Sequence, residues 1–318
     1  MRSILTVTVN PAVDESASVD EVVPEAKLRC SGVRYEPGGG GLNVARAVVR
    51  LGGEATALYA AGGPTGRLVG DLLDAEGVPR IEVPIGGWTR RNLNVREEPT
   101  GRQFRFVFPG PTFTQEEWQR CLESVRGLRP TPEFIVASGS LPPGVPLDFY
   151  ARLAGIAQEF EARFVLDSHG EPLRLALETG VFLVKPSLRE FQELIGRGGL
   201  DDAELTEAAR SLIRPGRCTV VVVSLGRRGA LWVTASEEGQ VSPPEVPVAS
   251  VVGAGDTMVA GIVLSLARTL SLGDSVRFGV AAAAAAVMNP GTQLCRREDV
   301  ERLVDGLRSR EVGDARSV

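Results

Sequence analysis

Short runs of aliphatic and β-branched residues alternate with amphipathic stretches along most of this chain. Residues 4–9, 55–60, 134–137, 164–166, 182–184 and 220–223 are short runs of apolar and β-branched residues. Such runs predict strands buried on both faces. Between them, residues 42–51, 65–75, 115–125, 147–160, 188–194 and 202–213 space their apolar positions as helices do. This alternation predicts an α/β fold, a mainly parallel sheet flanked by helices. Ligands of such sheets collect beyond the carboxyl ends of the strands.

Two segments break the rhythm. Residues 16–35 are strand-like with mixed polarity, and residues 88–108 carry two strand-like pieces around Thr100-Gly101, a hairpin pattern. Together they predict a small β-sheet projecting as a lid. Such a sheet stays exposed on one face unless it covers a site or meets a partner. The organisation read from this is a main α/β domain of residues 1–15, 36–87 and 109–308, a β-lid of residues 16–35 and 88–108, and a flexible polar tail, 309–318. Residues 255–270, 272–288 and 298–308 read as successive helices, with alanines 281–286 small enough for close packing.

Composition narrows the class. The chain has 318 residues, 43% of them hydrophobic, enough for a large core. Its net charge of −5 is interspersed, which argues against nucleic-acid binding. No apolar run reaches membrane-spanning length and no signal-peptide pattern opens the chain, so a cytoplasmic protein without membrane association is expected. The four cysteines lie far apart without metal-ligand spacing, as reduced thiols do. His169 is the single histidine, which excludes a His-rich zinc site and directs the search for a general base to carboxylates.

The segment Val252-Gly253-Ala254-Gly255-Asp256-Thr257 is the most telling. Gly253, Ala254 and Gly255 open a helix whose first amides lack intrahelical partners and point at any anion placed there. Asp256 stands beside them as a base able to take a hydroxyl proton. Alone, the segment also suits an ordinary strand-to-helix turn. A second cluster, Gly38-Gly39-Gly40-Gly41, leads into a helix carrying Asn43, whose amide both donates and accepts. Asp14 follows the first strand, where it can accept hydroxyl hydrogen bonds. Lys27, Arg90 and Arg105 are lid cations suited to phosphate, whereas Arg29 and Arg91 read as a solvated face. Lys185 ends a strand ahead of Glu190, and Ser224-Leu225-Gly226-Arg227-Arg228-Gly229 forms a turn able to cradle a nucleotide.

These motifs, in this order and spacing, resemble the PfkB/ribokinase family of sugar kinases over almost the whole chain. Gly38–Asn43 looks like the family's N-terminal motif and Val252–Asp256 like its C-terminal motif. Lys185-Pro186-Ser187-Leu188-Arg189-Glu190 occupies the place of its N-x-x-E motif, with Ser187 where the family usually has Asn. Within the family, Trp88-Thr89-Arg90, Arg105-Phe106-Val107 and Ser138-Gly139-Ser140 are most similar to the 6-phosphofructokinase branch. In 1-phosphofructokinases and tagatose-6-phosphate kinases the first motif usually carries Lys where this chain has Gly40, which favours fructose 6-phosphate.

The resemblance implies a ribokinase-like fold and an ATP- and Mg²⁺-dependent kinase that phosphorylates fructose 6-phosphate at C1. It implies Asp256 as base, with Gly253, Ala254 and Gly255 forming the anion hole. Asp14, Lys27, Gly39, Gly40, Asn43, Arg90, Arg105 and Ser140 would contact the sugar phosphate. Lys185, Ser187, Ser224, Gly226, Gly229, Val248, Val280 and Ala284 would surround ATP. Glu190 would hold Mg²⁺ through water, and Ser250, Val252, Ala286, Asn289, Gly291 and Gln293 would frame a K⁺ site. A homodimer through the lid is implied as well. The alternatives are a 1-phosphofructokinase or tagatose-6-phosphate kinase of the same fold, and a non-catalytic sugar-phosphate sensor.

Overall fold

An apolar strand is stable only when both its faces are covered, and a computed structural model, which describes residues 3–291 and 293–314, has two helical layers doing so. The strands are β1 (Ile4–Thr8), β2 (Ala12–Val19), β3 (Ser31–Gly38), β4 (Ala55–Ala61), β5 (Arg80–Pro84), β6 (Arg90–Glu97), β7 (Gln103–Val107), β8 (Phe134–Ser138), β9 (Arg163–Asp167), β10 (Val181–Val184), β11 (Cys218–Ser224), β12 (Ala230–Val233) and β13 (Glu238–Val241). The helices are α1 (Gly40–Arg50), α2 (Gly63–Ala75), α3 (Gln115–Arg126), α4 (Phe149–Glu159), α5 (Gly170–Thr179), α6 (Leu188–Ile195), α7 (Asp202–Ile213), α8 (Ala254–Ala267), α9 (Leu272–Val287) and α10 (Arg297–Asp314).

The main sheet runs β13-β12-β11-β10-β9-β8-β1-β4-β5, parallel from β11 to β5 and closed at one edge by the antiparallel β12 and β13. Period-two alternation divides each strand between two cores. Ile4, Phe134, Val136, Val220 and Val222 face the layer of α1, α8, α9 and α10. Leu5, Val7, Ile135, Ala137, Val221 and Val223 face the layer of α3 to α7. Three helices on that second layer start with capping boxes, Thr114 with Glu117, Ser187 with Glu190 and Asp201 with Glu204.

A second sheet, β3-β2-β6-β7, is the lid. Its register puts Asp14 beside Asn92 and Ser16 beside Asn94, which lies opposite Arg105. These side chains share one face. The next row, Tyr35, Glu15, Leu93 and Phe106, belongs to the other. Strand pairing starts at Ala12 and continues to Gly38, so residues 12–15 and 36–38 pair within this sheet, while Val13 packs into the main core. The strands β5, β12 and β13 and the helix α5 were not legible as apolar periods, because β5 and β13 are short and partly charged. Helix α10 runs to Asp314, into the stretch expected as a tail; 315–318 lie outside the described residues.

Helices α8 and α9 cross with backbones in contact. A Cβ on Gly279 would stand 2.6 Å from Ile262 Cγ1 and 2.8 Å from the Met258 carbonyl oxygen, and one on Gly261 would stand 2.8 Å from Gly279 Cα. Gly279→Ala should therefore cost about 1–3 kcal/mol, the usual range for overpacking. Urea denaturation checks this, and a fall below 0.5 kcal/mol (roughly the scatter of neutral substitutions) would mean that the crossing is loose.

Candidate active site

The carboxyl ends of the parallel strands deliver polar side chains to one edge of the main sheet. Ser138 ends β8, Asp167 ends β9, Lys185 follows β10 and Ser224 ends β11. Helix α8 begins at the same edge. Gly253, in the left-handed region at φ 75°, turns the chain so that the amides of Ala254, Gly255 and Asp256 open the helix.

Asp256 is partly accessible in the first turn of α8. Its Oδ2 accepts from Asn43 Nδ2 at 3.0 Å, and its Oδ1 accepts from Ser138 Oγ at 3.1 Å. Burial, followed by the negative charge of Asp167, pushes its pKa from 3.8 up to about 6, against the hydrogen bonds from Asn43 and Ser138 and the positive charge of Lys185. A carboxylate with that pKa is ionised at neutral pH and more basic than an exposed one, which suits a general base. Lys185 is 4% exposed and pairs with Asp167 at 3.3 Å. Its Nζ lies 3.4 Å from where a Cβ of Gly255 would stand, so an ammonium and the helix amides converge on one anion position.

The glycine cluster closes the other side. Gly40 packs so tightly that a Cβ there would lie 2.1 Å from Ser138 Oγ. Gly39 precedes it as the N-cap of α1, its carbonyl accepting from the Asn43 amide at 2.9 Å. On the lid, Asp14 accepts from Asn92 Nδ2 at 2.8 Å, and burial raises its pKa. Asp14, Asn92, Asn94, Arg105 and Val252 line a cavity of about 40 Å³ between the lid and the α8 start. Arg90 donates to the carbonyls of Asn10 and Phe108, both at 3.1 Å, and so braces the lid.

Some expected residues sit elsewhere. Ser140 accepts from Asn10 Nδ2 at 3.0 Å; Ser138, two positions earlier, is the serine that meets Asp256. Gly139, between them at φ 116°, breaks the extended chain where β8 ends, so the two hydroxyls do not share a direction. Lys27 stands exposed in the segment between β2 and β3 and does not line the cavity at Asp14. Val280 is 1% exposed, inside the core against α8, so it presents almost no surface to a ligand. Ala284 lies one turn further along α9, and Val248 is exposed beside the segment in which Ala249 donates to the Val287 carbonyl. Ser187 and Ser224 form a parallel bridge, which brings the Lys185 segment and the Gly226–Gly229 turn together. Glu190 Oε2 accepts from the Ser187 amide at 2.8 Å and hydroxyl at 2.7 Å. Burial raises its pKa, but these bonds and Lys185 outweigh it and hold Glu190 below the usual carboxylate value.

The residues expected around K⁺ lie on two segments, 250–252 ahead of α8 and 286–293 at the end of α9, joined by the Ser250 amide donating to the Val287 carbonyl. Ser250 Oγ accepts from the Val252 amide at 3.2 Å, and Asn289 donates to the carbonyls of Ala285 and Leu294. Ala286 accepts from the Asn289 amide, Gly291 packs near Ser16, and the Gln293 carbonyl accepts from Arg50.

The profile of the pfkB family of carbohydrate kinases matches residues 6–299. The chain belongs to this family. It is 48% identical over 302 residues to ATP-dependent 6-phosphofructokinase isozyme 2 of Mycobacterium tuberculosis, covering 95% of this chain and 89% of that protein. Identity to the Escherichia coli isozyme 2 is 43% over 304 residues, covering 95% and 98%. Crystal structures of E. coli phosphofructokinase-2 with fructose-6-phosphate and with potassium, and of its tetrameric inhibited form, superpose with TM-scores of 0.91, 0.92 and 0.91 at 42–43% identity, over 96% of this chain and 99% of theirs. A 1-phosphofructokinase of Xanthomonas campestris is 35% identical over 266 residues, covering 82% and 83%. The fold is ribokinase-like, and the chain is a kinase of this family.

Asp167, Ser138 and Asn92 were missed in the sequence. Asp167 and Ser138 each end a buried strand, and a polar residue at the carboxyl end of a parallel strand is the signal that finds them. Asn92 carries no such mark, because its role depends on lid register. Removing the negative charge with Asp167→Asn should lower the Asp256 pKa, moving the acid limb of kcat/KM below about 6. A pH–rate profile measures this, and an unmoved or raised limb would remove Asp167 from the electrostatics of the base.

Proposed function

We propose that this kinase transfers the γ-phosphoryl group of MgATP to the C1 hydroxyl of fructose 6-phosphate, giving ADP and fructose 1,6-bisphosphate. The observation that carries the reading is the hydrogen-bonded Asp256 carboxylate, raised to about 6, in the first turn of α8 beside Lys185. As the C1 oxygen bonds to phosphorus, its proton passes to Asp256 and the bond to the ADP oxygen breaks. The amides of Ala254, Gly255 and Asp256 and the Lys185 ammonium face the charge on the transferring group. Asp14 and Asn43 hold sugar hydroxyls, and Arg90 and Arg105 supply charge for the 6-phosphate. The segments of Lys185, Ser187, Ser224, Gly226 and Gly229 hold the nucleotide. Glu190 would face the magnesium of MgATP through water, and the cation would offset charge on the nucleotide phosphates.

The acceptor assignment draws support from the 43–48% identity to 6-phosphofructokinases. Gly40 supports it too, because the 1-phosphofructokinase and tagatose-6-phosphate kinase motifs usually carry Lys at this position. The second reading is a 1-phosphofructokinase, favoured by the 35% identity to that enzyme. The potassium complex of E. coli phosphofructokinase-2 supports a K⁺ site framed by Ser250, Val252, Ala286, Asn289, Gly291 and Gln293, and no step is routed through that cation. The outer lid face, with Val33, Tyr35 and Phe106 exposed, supports a homodimer formed through this sheet. Four unpaired thiols and the need for ATP support a cytoplasmic setting.

Phosphorylation of fructose 6-phosphate, fructose 1-phosphate and tagatose 6-phosphate, read by ³¹P NMR, should give preferred turnover on the first with product at C1. Preference for either other sugar would overturn the acceptor assignment. Asp256→Asn should lower kcat by roughly 10²–10⁴-fold, the span of general-base loss, with ATP binding kept. The raised pKa means that ionised Asp256 disfavours folding increasingly as pH climbs from 3.8 to about 6, and at a constant cost above that. The same variant should thus be more stable at pH 7 by about 1–3 kcal/mol, seen as a higher midpoint in urea. Arg105→Ala should raise KM for the sugar phosphate at least tenfold, about the 1.4 kcal/mol of a lost charged contact, and leave KM for ATP in place; equal effects on both would detach Arg105 from the acceptor.

A further inference from the structure

Arg46 is fully buried, an unusual place for a guanidinium. It sits one turn after Asn43 on α1, on the same helix face. Its Nη1 donates to the Asn43 side-chain oxygen at 3.1 Å and to the Pro37 carbonyl at 2.9 Å. Its Nε and Nη2 make a forked pair with Glu76, which follows the end of α2, at 3.0 and 2.6 Å. Burial pushes Glu76 up, but Arg46 and Arg50 outweigh it and hold the carboxyl below its usual range. Arg50 shares the Glu76 carboxylate at 3.1 Å and reaches the Gln293 carbonyl.

An asparagine amide has two ends of opposite polarity, and a half-turn exchanges them. With its oxygen toward Asp256 it would repel the carboxylate; with its NH₂ there it donates. A guanidinium on the opposite side accepts only one of these orientations, because it has no lone pair to receive an N–H. We propose that Arg46, held by Glu76, is a positioning residue for phosphoryl transfer: it fixes the Asn43 amide with the NH₂ facing Asp256. The proposal rests on the assignment of Asp256 as the base. Arg46 touches neither the sugar nor the transferring group. It reaches Asp256 through Asn43, from beneath the site, and its charge also acts to lower the pKa of Asp14.

The test uses Arg46→Lys, which keeps the charge but replaces the planar, spread fork with a compact ammonium, and Glu76→Gln, which keeps the shape but loosens the fork. The charges bearing on Asp256 from neighbouring elements are Asp167 on β9 and Lys185 after β10, both unchanged in these variants. Losing the aligned donor raises the pKa of Asp256, so the acid limb of kcat/KM should move upward. Turnover should fall roughly 10–100-fold, the effect of a small misplacement at a reacting centre, with KM for ATP unchanged. In an Asn43→Ala background, Arg46→Lys should move the limb no further. A limb that stays in place while the urea midpoint falls would make Arg46 purely structural and overturn the proposal, as would fully additive effects with Asn43→Ala. If Arg46→Lys does not fold, Glu76→Gln decides on the same two readouts. A near-normal rate for Asp256→Asn would instead overturn the base assignment; loss of that rate with an unmoved limb in the Arg46 variant overturns the positioning role alone.

Discussion

Everything at the active edge depends on keeping one carboxylate ionised where water is scarce. Asp256 is in the first turn of a helix whose positive end favours its charge, yet burial and Asp167 act against it. The fold resolves the conflict with two neutral donors, Asn43 and Ser138, and one cation, Lys185. Each arrives from a different element. The parallel sheet is what makes this possible, since β8, β9 and β10 all end on the same side.

The tight helix crossing behind the site serves the same end. With Gly261 and Gly279 in backbone contact, α8 has no room to slide along α9. Its first-turn amides are therefore held by packing two turns away, which is the kind of preorganisation that charge stabilisation in a transition state requires.

Much of this was readable from the chain because the residues concerned sit at punctuation marks. The apolar runs around residues 134–137 and 220–223 announced buried strands, and the Gly253–Gly255 and Gly38–Gly41 clusters announced helix starts able to face a ligand. Asp256 and Asn43 followed from those starts. Arg46 did not, since an arginine on an apolar helix looks like a surface residue until Glu76 is brought to it by the packing of α2. The meeting of Ser138 with Asp256 was hidden in the same way. The motif was visible, but which serine points inward depends on where β8 ends. The contact of Arg50 with the Gln293 carbonyl was likewise hidden, because 243 positions of sequence separate them.

The lid divides its labour by strict alternation. One face carries Asp14, Asn92, Asn94 and Arg105 toward the cleft; the other carries Tyr35, Leu93 and Phe106 away from it. Replacing a side chain at every second position changes one role and spares the other. Inserting or deleting one residue in β6 would turn the strand inside out, presenting aromatic and aliphatic groups to a sugar phosphate and stranding charges on the outside. Descendants of this protein can thus diversify in the sugars they accept by point substitution, whereas length changes within these strands forfeit both roles together.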